Sequence, residues 1–200
     1  MKVLVIGGTG LIGSAVVKTL SPKHDVISAN RHGETKVDIT DPASIRALFK
    51  RVGPVDAIVS AAGGAKWAPL AALTDDDFVA SVGDKLMGQV SVVRAALEPG
   101  ALSDGGSVTI SSGVLAQQPA PGGAAFSLAN GALESFARAA ALEAPRGIRV
   151  NVVSPGWVSE TLAAMGQDPK TGIPAADVAR VYVQSIEGKQ TGAVLLAVKA

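Results

Sequence analysis

Short, almost uninterrupted apolar runs alternate along this chain with longer stretches whose apolar residues recur at helical spacing. "KVLVIGG" reads as a buried strand entering a turn, and "GSAVVKTL" as the helix that follows. "DVISAN" is a second strand and "TKVDI" a short third. "DPASIRALFKRV" opens with an Asp cap and Pro42, a favourable helix start. "DAIVSAAGG" is a fourth strand, and a long helical region covers about Asp75 to Leu97. "GSVTISSG" is a fifth strand, and Gly123 to Ala144 a second long helix, rich in Ala. "GIRVNVVSPG", "PAADVARVYVQSI" and "TGAVLLAV" complete the chain as strand, helix and strand. Strands buried on both faces show as continuous apolar runs, and these do. The pattern therefore predicts a single α/β domain over residues 1–200: a doubly wound, Rossmann-type fold with a mostly parallel seven-stranded sheet and helices on both faces. Ser159 to Gly172 is the most loop-like stretch, either a short lid over a site or a plain surface connection.

Composition narrows the function classes. A chain with 48% hydrophobic residues can bury a sizeable core and is not disordered. A net charge of +1 gives no basic excess for nucleic acid or an anionic membrane. With no Cys there is no disulfide, thiolate nucleophile or Cys-ligated metal, which fits a cytoplasmic setting. The uncharged run Val3 to Val17 loosely mimics a signal peptide, but it is too short to span a bilayer and is broken by Gly7, Gly8, Gly10 and Gly13. A strand followed by a glycine turn is the better reading. His24 and His32 are too isolated to suggest a metal site, and Asp75, Asp76 and Asp77 suit a helix N-terminus.

The chemistry begins at "VLVIGGTGLIGSAV", where Gly7, Gly10 and Gly13 sit at three-residue spacing between strand and helix. Such a turn brings backbone N–H groups against a pyrophosphate at the helix N-terminus. Where an NAD-binding fold carries an acid for the ribose 2′-hydroxyl, this chain reads "SANRHG", with Asn30 and Arg31 and no carboxylate. A guanidinium there suits a 2′-phosphate, so NADP(H) is expected over NAD(H); the plainer alternative is a solvated loop charge.

These pieces, with "VDITD", "SAAGG", "VTISSG", "GIRVNVVSPGWV" and "TGAVLLAV" in order, make the chain resemble the short-chain dehydrogenase/reductase family over nearly its whole length. The resemblance implies cofactor contacts from Gly7, Thr9, Gly10, Leu11, Ile12 and Gly13, from Asn30 and Arg31, and from Asp38 and Ile39 beside the adenine. It also implies them from Ala61, Ala62 and Gly63, from Asn130, and from Pro155, Gly156 and Val158 near the nicotinamide. Its chemistry would be hydride transfer between nicotinamide and a small carbonyl or alcohol, and its members often pair as homodimers or homotetramers. The family's substrate-orienting serine aligns with Ser112, and Ser111 should face the other way as its strand neighbour.

The other three catalytic places are altered. The tyrosine place falls at Phe126, the lysine place at Asn130, and the place of a relay asparagine at Lys85. Phenylalanine has no proton to give, and Asn130 keeps a hydrogen bond for a ribose but brings no charge. The only tyrosine, Tyr182, lies far off in the C-terminal helix, and the family's threonine after the Pro-Gly turn aligns with Glu160, next to Thr161. Lys85 is expected either to enter the cleft and supply the proton with Ser112 and a water, or to be a surface helix residue, or to form an ordinary ion pair with an acid such as Asp84. Trp157 either covers substrate or packs. The expected function is an NADP(H)-dependent oxidoreductase with a non-standard site. The alternatives are a catalytically silent NADP(H)-binding sensor or interaction protein and non-redox chemistry on the same fold.

Overall fold

The computed structural model describes residues 1–199 and is built around one six-stranded sheet. Its strands are β1 (Lys2–Ile6), β2 (Asp25–Ala29), β3 (Val55–Ser60), β4 (Leu102–Ser111), β5 (Arg149–Pro155) and β6 (Val194–Ala197). They lie in the order β2-β1-β3-β4-β5-β6, and every pairing is parallel. The helices are α1 (Leu11–Leu20), α2 (Pro42–Val52), α3 (Asp75–Ser81), α4 (Gly88–Ala96), α5 (Ala124–Glu143), α6 (Ser159–Ala164) and α7 (Ala175–Glu187).

Alternation along each strand feeds two cores. Leu4 and Ile6 of β1 face α2, α4 and α5, where Ile45, Val92 and Leu133 are buried. Val3 and Val5 face α1 and α7, where Val16, Val178 and Tyr182 are buried. Local signals set the helix ends. Asp41 caps α2 by accepting from the Ala43 N–H, with Pro42 in the first turn. Thr74 and Asp77 form a reciprocal capping box on α3.

Three expectations are corrected. The sheet has six strands, not seven: "TKVDI" contributes only an isolated bridge between Asn30 and Lys36. Val37 and Ile39 still bury, but the Asp38 carboxylate accepts from the Thr40 N–H at 2.9 Å and bends the chain toward α2 before a ladder can form. The stretch from Ser159 to Gly172 is mostly structured, holding α6 and a 3₁₀ turn at Pro169–Thr171. The helix expected from Asp75 to Leu97 is interrupted by a π-helical turn, Val82–Met87, between α3 and α4. Such wide turns are rare and gather at functional sites.

The strand order reverses at β1, which lies between β2 and β3. A crevice opens beyond the carboxyl ends of strands at such a switch point. Among the described residues, no helix is long and apolar enough to cross a membrane.

Candidate functional site

The crevice is a cleft of about 340 Å³ lined by the segments after β1, β2 and β3: Gly7, Thr9 and Gly10, then Asn30 and Arg31, then Ala61, Ala62 and Gly63. Ile39 joins them from the bend before α2. Gly13 is buried behind the loop, where a Cβ would collide with the Gly7 carbonyl and stand 2.7 Å from its carbon. Only glycine lets α1 pack this tightly under the turn. No side chain among the described residues caps the N-terminus of α1. Its first N–H groups, from Leu11 to Gly13, therefore remain for an anion, aided by the helix dipole. The cradle fits a dinucleotide pyrophosphate.

Arg31 sits at the cleft, half exposed, with its guanidinium 3.1 Å from Asp84 and 3.6 Å from Asp38. Its charge is already shared between two carboxylates. Asp38 does not line the cleft. Hydrogen bonds from Thr40 and the nearby Arg31 hold its carboxyl below the usual range, against a smaller opposing effect of burial. Asp84 reaches the loop after β3 as well, accepting from the Gly64 N–H at 3.0 Å.

A second, smaller cavity of about 160 Å³ adjoins this cleft at Ile12 and the Lys85 turn. It brings together Ser112, Lys85, Phe126 and Asn130, the four places singled out for catalysis. Pro155, Gly156 and Val158 line it from the end of β5, with Trp157 and Thr161. Thr161, rather than Glu160, faces the cavity: Glu160 turns away to accept from the Ala175 N–H at the start of α7. Phe126 and Trp157 line the cavity, and Trp67 braces both rings from behind, edge-on against Trp157 and tilted on Phe126.

Lys85 is only 7% exposed and lies on the π-helical turn. Gly63 makes room for it, at φ +98° and with a would-be Cβ 2.9 Å from the Lys85 Cα. The buried Gln89 side chain donates to the Lys85 and Ser111 carbonyls and accepts from the Ser111 N–H, tying this helix to the end of β4. The Lys85 ammonium stands 6.0 Å from the Phe126 ring centre, and among the described residues it has no hydrogen-bond or ion-pair partner. Burial pushes it down to about 8, partly offset by Asp84. The surface-residue alternative is overturned, and Asp84 pairs with Arg31 instead.

Asn130 is buried and donates to the Gly113 carbonyl at 3.3 Å, while its Oδ1 has no partner among the described residues. An orphaned buried acceptor on a residue that lines the cavity suits a ligand hydroxyl. Ser111 and Ser112 do face opposite ways. Ser111 bonds the Ser60 carbonyl and the Tyr182 hydroxyl, well away from the cavity.

Ser112 holds the feature that the sequence did not reveal. Its hydroxyl donates to Glu134 Oε1 at 2.9 Å, and Glu134 Oε2 accepts from Gln117 Nε2 at 2.5 Å. Gln117 Oε1 in turn faces the Ser154 hydroxyl at 3.4 Å. Glu134 is 6% exposed and lies one turn beyond Asn130 on α5. A lone carboxylate between Leu133 and Ala137, on the buried stripe of an Ala-rich helix, is the signal that marked it.

A parallel sheet with a glycine-loop cleft at its switch point and a serine at the end of β4 defines a nucleotide-binding Rossmann-type protein. A family model described as "Enoyl-(Acyl carrier protein) reductase" matches residues 13–196. The chain belongs to the short-chain dehydrogenase/reductase family, a family of oxidoreductases. Among curated relatives, the 3-oxoacyl-[acyl-carrier-protein] reductase FabG of Salmonella typhimurium is 29% identical over 184 residues, 87% of this chain and 74% of its own length. Among solved structures, the protein lin1944 of Listeria innocua superposes with a TM-score of 0.93 at 41% identity, covering 98% of both chains. A small-chain dehydrogenase in complex with NADPH superposes with a TM-score of 0.86 at 26% identity, covering 98% of this chain and 95% of its own.

Proposed function

We propose that this protein is an NADP(H)-dependent oxidoreductase that interconverts a small carbonyl compound and its alcohol, with Lys85 in place of the family's phenol. The observation that carries this reading is the buried, unpartnered Lys85 ammonium facing the same small cavity as Ser112 and Asn130. The glycine loop and the N-terminus of α1 hold the pyrophosphate. Arg31 meets a 2′-phosphate by giving up part of its pairing with Asp84 and Asp38. The structural likeness to an NADPH-bound dehydrogenase supports that preference. Asn130 Oδ1 accepts from a ribose hydroxyl. When bound, the nicotinamide supplies or takes the hydride.

The remaining work is done by the chain itself. Lys85 donates a hydrogen bond to the substrate oxygen, stabilises the negative charge that develops on it, and gives up a proton. A lysine held at about 8 is charged at neutral pH yet loses its proton far more readily than a solvated one. Trp157 and Phe126, braced by Trp67, restrict water in the cavity.

The test is NADPH oxidation against a panel of ketones, aldehydes and quinones, with Lys85→Met and Ser112→Ala alongside. We expect Lys85→Met to lose about 10²-fold or more in kcat, the usual worth of a positioned proton donor. Unchanged turnover in both variants would refute the reading. Tight NADPH binding without turnover of any substrate would favour the silent, cofactor-sensing alternative.

A further inference from the structure

The Ser112 hydroxyl has one proton, and the structure commits it. Among the described residues, both groups within hydrogen-bond range of Ser112 Oγ are acceptors: Glu134 Oε1 at 2.9 Å and the Val153 carbonyl at 3.4 Å. Glu134 is held in turn, because Gln117 donates to its other oxygen. Ser112 therefore presents only lone pairs to the cavity that it lines. In the same cavity lining, the single cationic donor among the described residues is Lys85. The pair offers one donor and one acceptor, whereas a simple ketone carries a single acceptor atom and leaves Ser112 unmatched. An unmatched buried acceptor is penalised.

We propose that Glu134, acting through Ser112, makes this site select small carbonyl compounds that carry a hydroxyl beside the carbonyl. The carbonyl oxygen accepts from Lys85, and the neighbouring hydroxyl donates to Ser112 Oγ. The cavity of about 160 Å³ is shared with the nicotinamide beside Pro155 and Gly156, and its walls of Phe126, Leu115, Val114 and Trp157 suit a short, mostly apolar substrate frame. Glu134 touches no substrate and is a positioning residue. The inference rests on the oxidoreductase reading above and names the substrate class of that site. The net reaction is hydroxyketone, reduced nicotinamide and one proton giving a vicinal diol and oxidised nicotinamide.

Three probes of similar size separate the donor from its side effects. Hydroxyacetone carries the donor. 2-Butanone places a methyl where that hydroxyl would be. Methoxyacetone keeps the electron-withdrawing oxygen but has no proton to give. We expect kcat/KM for hydroxyacetone to exceed both others by about tenfold or more, the scale of one buried hydrogen bond to a well-held acceptor. Ser112→Ala should bring the ratio close to one. Glu134→Gln should do the same or invert it. Gln117 stays a donor, because its Oε1 faces Ser154, so the new amide turns its oxygen to Gln117 and its N–H₂ to Ser112. The Ser112 proton is then released from Glu134, and its hydroxyl can donate to the cavity or to the Val153 carbonyl. A merely structural Glu134 would lower all three substrates together and leave the ratio unmoved, which would overturn the proposal, as would a wild-type ratio near one.

Saturation-transfer NMR with the same three compounds reads recognition without turnover, in the wild type and in Glu134→Gln. If none of the three is reduced but hydroxyacetone still binds best to the wild type and loses that advantage in the variant, the redox reading fails and the recognition stands. If turnover occurs but the binding order and the kinetic ratio are both flat, the recognition fails and the redox reading stands.

Discussion

Lys85→Met should make the protein more stable while disabling it. The wild-type lysine is buried, its ammonium has no hydrogen-bond or ion-pair partner among the described residues, and its lowering from 10.5 to about 8 sets the scale of what the native state loses by charging it. At roughly 1.4 kcal/mol per pH unit, that is about 3 kcal/mol. Methionine has a similar length and no charge to desolvate. It forfeits the ammonium's attraction to the Phe126 ring, 6.0 Å away and worth about 0.5–1 kcal/mol. The net gain at pH 7 is about 2 kcal/mol, or roughly 4–8 °C in Tm for a chain of this size. Proton counts give the pH dependence. Below about 8 both states are protonated, and the native state bears the whole penalty. Between about 8 and 10.5 the unfolded chain keeps a proton that the native one has lost, so wild-type stability rises with pH relative to the variant. Above that window neither state holds it, and the difference closes. Urea unfolding of both proteins at pH 7 and at pH 10 reads this directly. A variant no more stable than wild type at pH 7, or a gain of the same size at both pH values, would refute the account of Lys85 as a buried unpaired charge.

Tyr182→Phe removes the hydrogen bond to Ser111, which keeps its bond to the Ser60 carbonyl. Burial pushes this phenol up to about 12 and it lies outside the cavity, so Tm should fall by a few degrees, for about 1 kcal/mol, with kcat within about twofold of wild type; a collapse in turnover would contradict this. Gly13→Ala drives a methyl into the Gly7 carbonyl, so the loop must shift. NADPH affinity by fluorescence titration should drop by about tenfold or more, and an unchanged affinity would rule out the pyrophosphate cradle. Arg31→Ala should weaken NADPH binding by roughly tenfold and leave NADH nearly unaffected, since only the former offers a phosphate to the guanidinium. Equal losses for both would remove Arg31 as the discriminating residue.

The strands of this protein were legible because sheets covered on both faces print as unbroken apolar runs. "TKVDI" misled because its Val and Ile alternate as a strand requires, yet they bury at a bend that Asp38 and Thr40 close locally. The position of Lys85 was legible by alignment, but its burial was not. The π-helical turn lies between two ordinary helical stretches, and an apolar pattern of period 3.6 continues across it with little trace. Gly63, 22 residues earlier, makes the space for the lysine, and no local pattern links the two. Glu134 was missed for the same kind of reason. Its partners Ser112 and Gln117 are 22 and 17 residues away, and a carboxylate on a helix is most often a solvated one.

On the proposed reading, the altered places are one change rather than three. Asn130 stands one turn before Glu134, on the same face of α5. A lysine in its place would come within reach of the Glu134 carboxylate, and a buried pair of that kind would draw Glu134 away from Ser112. With Asn130 that position brings no competing charge, and Glu134 is left to fix the Ser112 proton. The positive charge the substrate oxygen needs then has to come from elsewhere, and Lys85, on another helix lining the cavity, brings it. Once that charge arrives with its own proton, a phenol in place of the Phe126 ring has nothing left to supply. A plain ring suits the position better, since it gives the ammonium an apolar face without a hydroxyl to pair with. Combining Phe126→Tyr with Asn130→Lys would therefore place two cations in one small cavity, with the Glu134 carboxylate behind Ser112, instead of rebuilding the family's usual site.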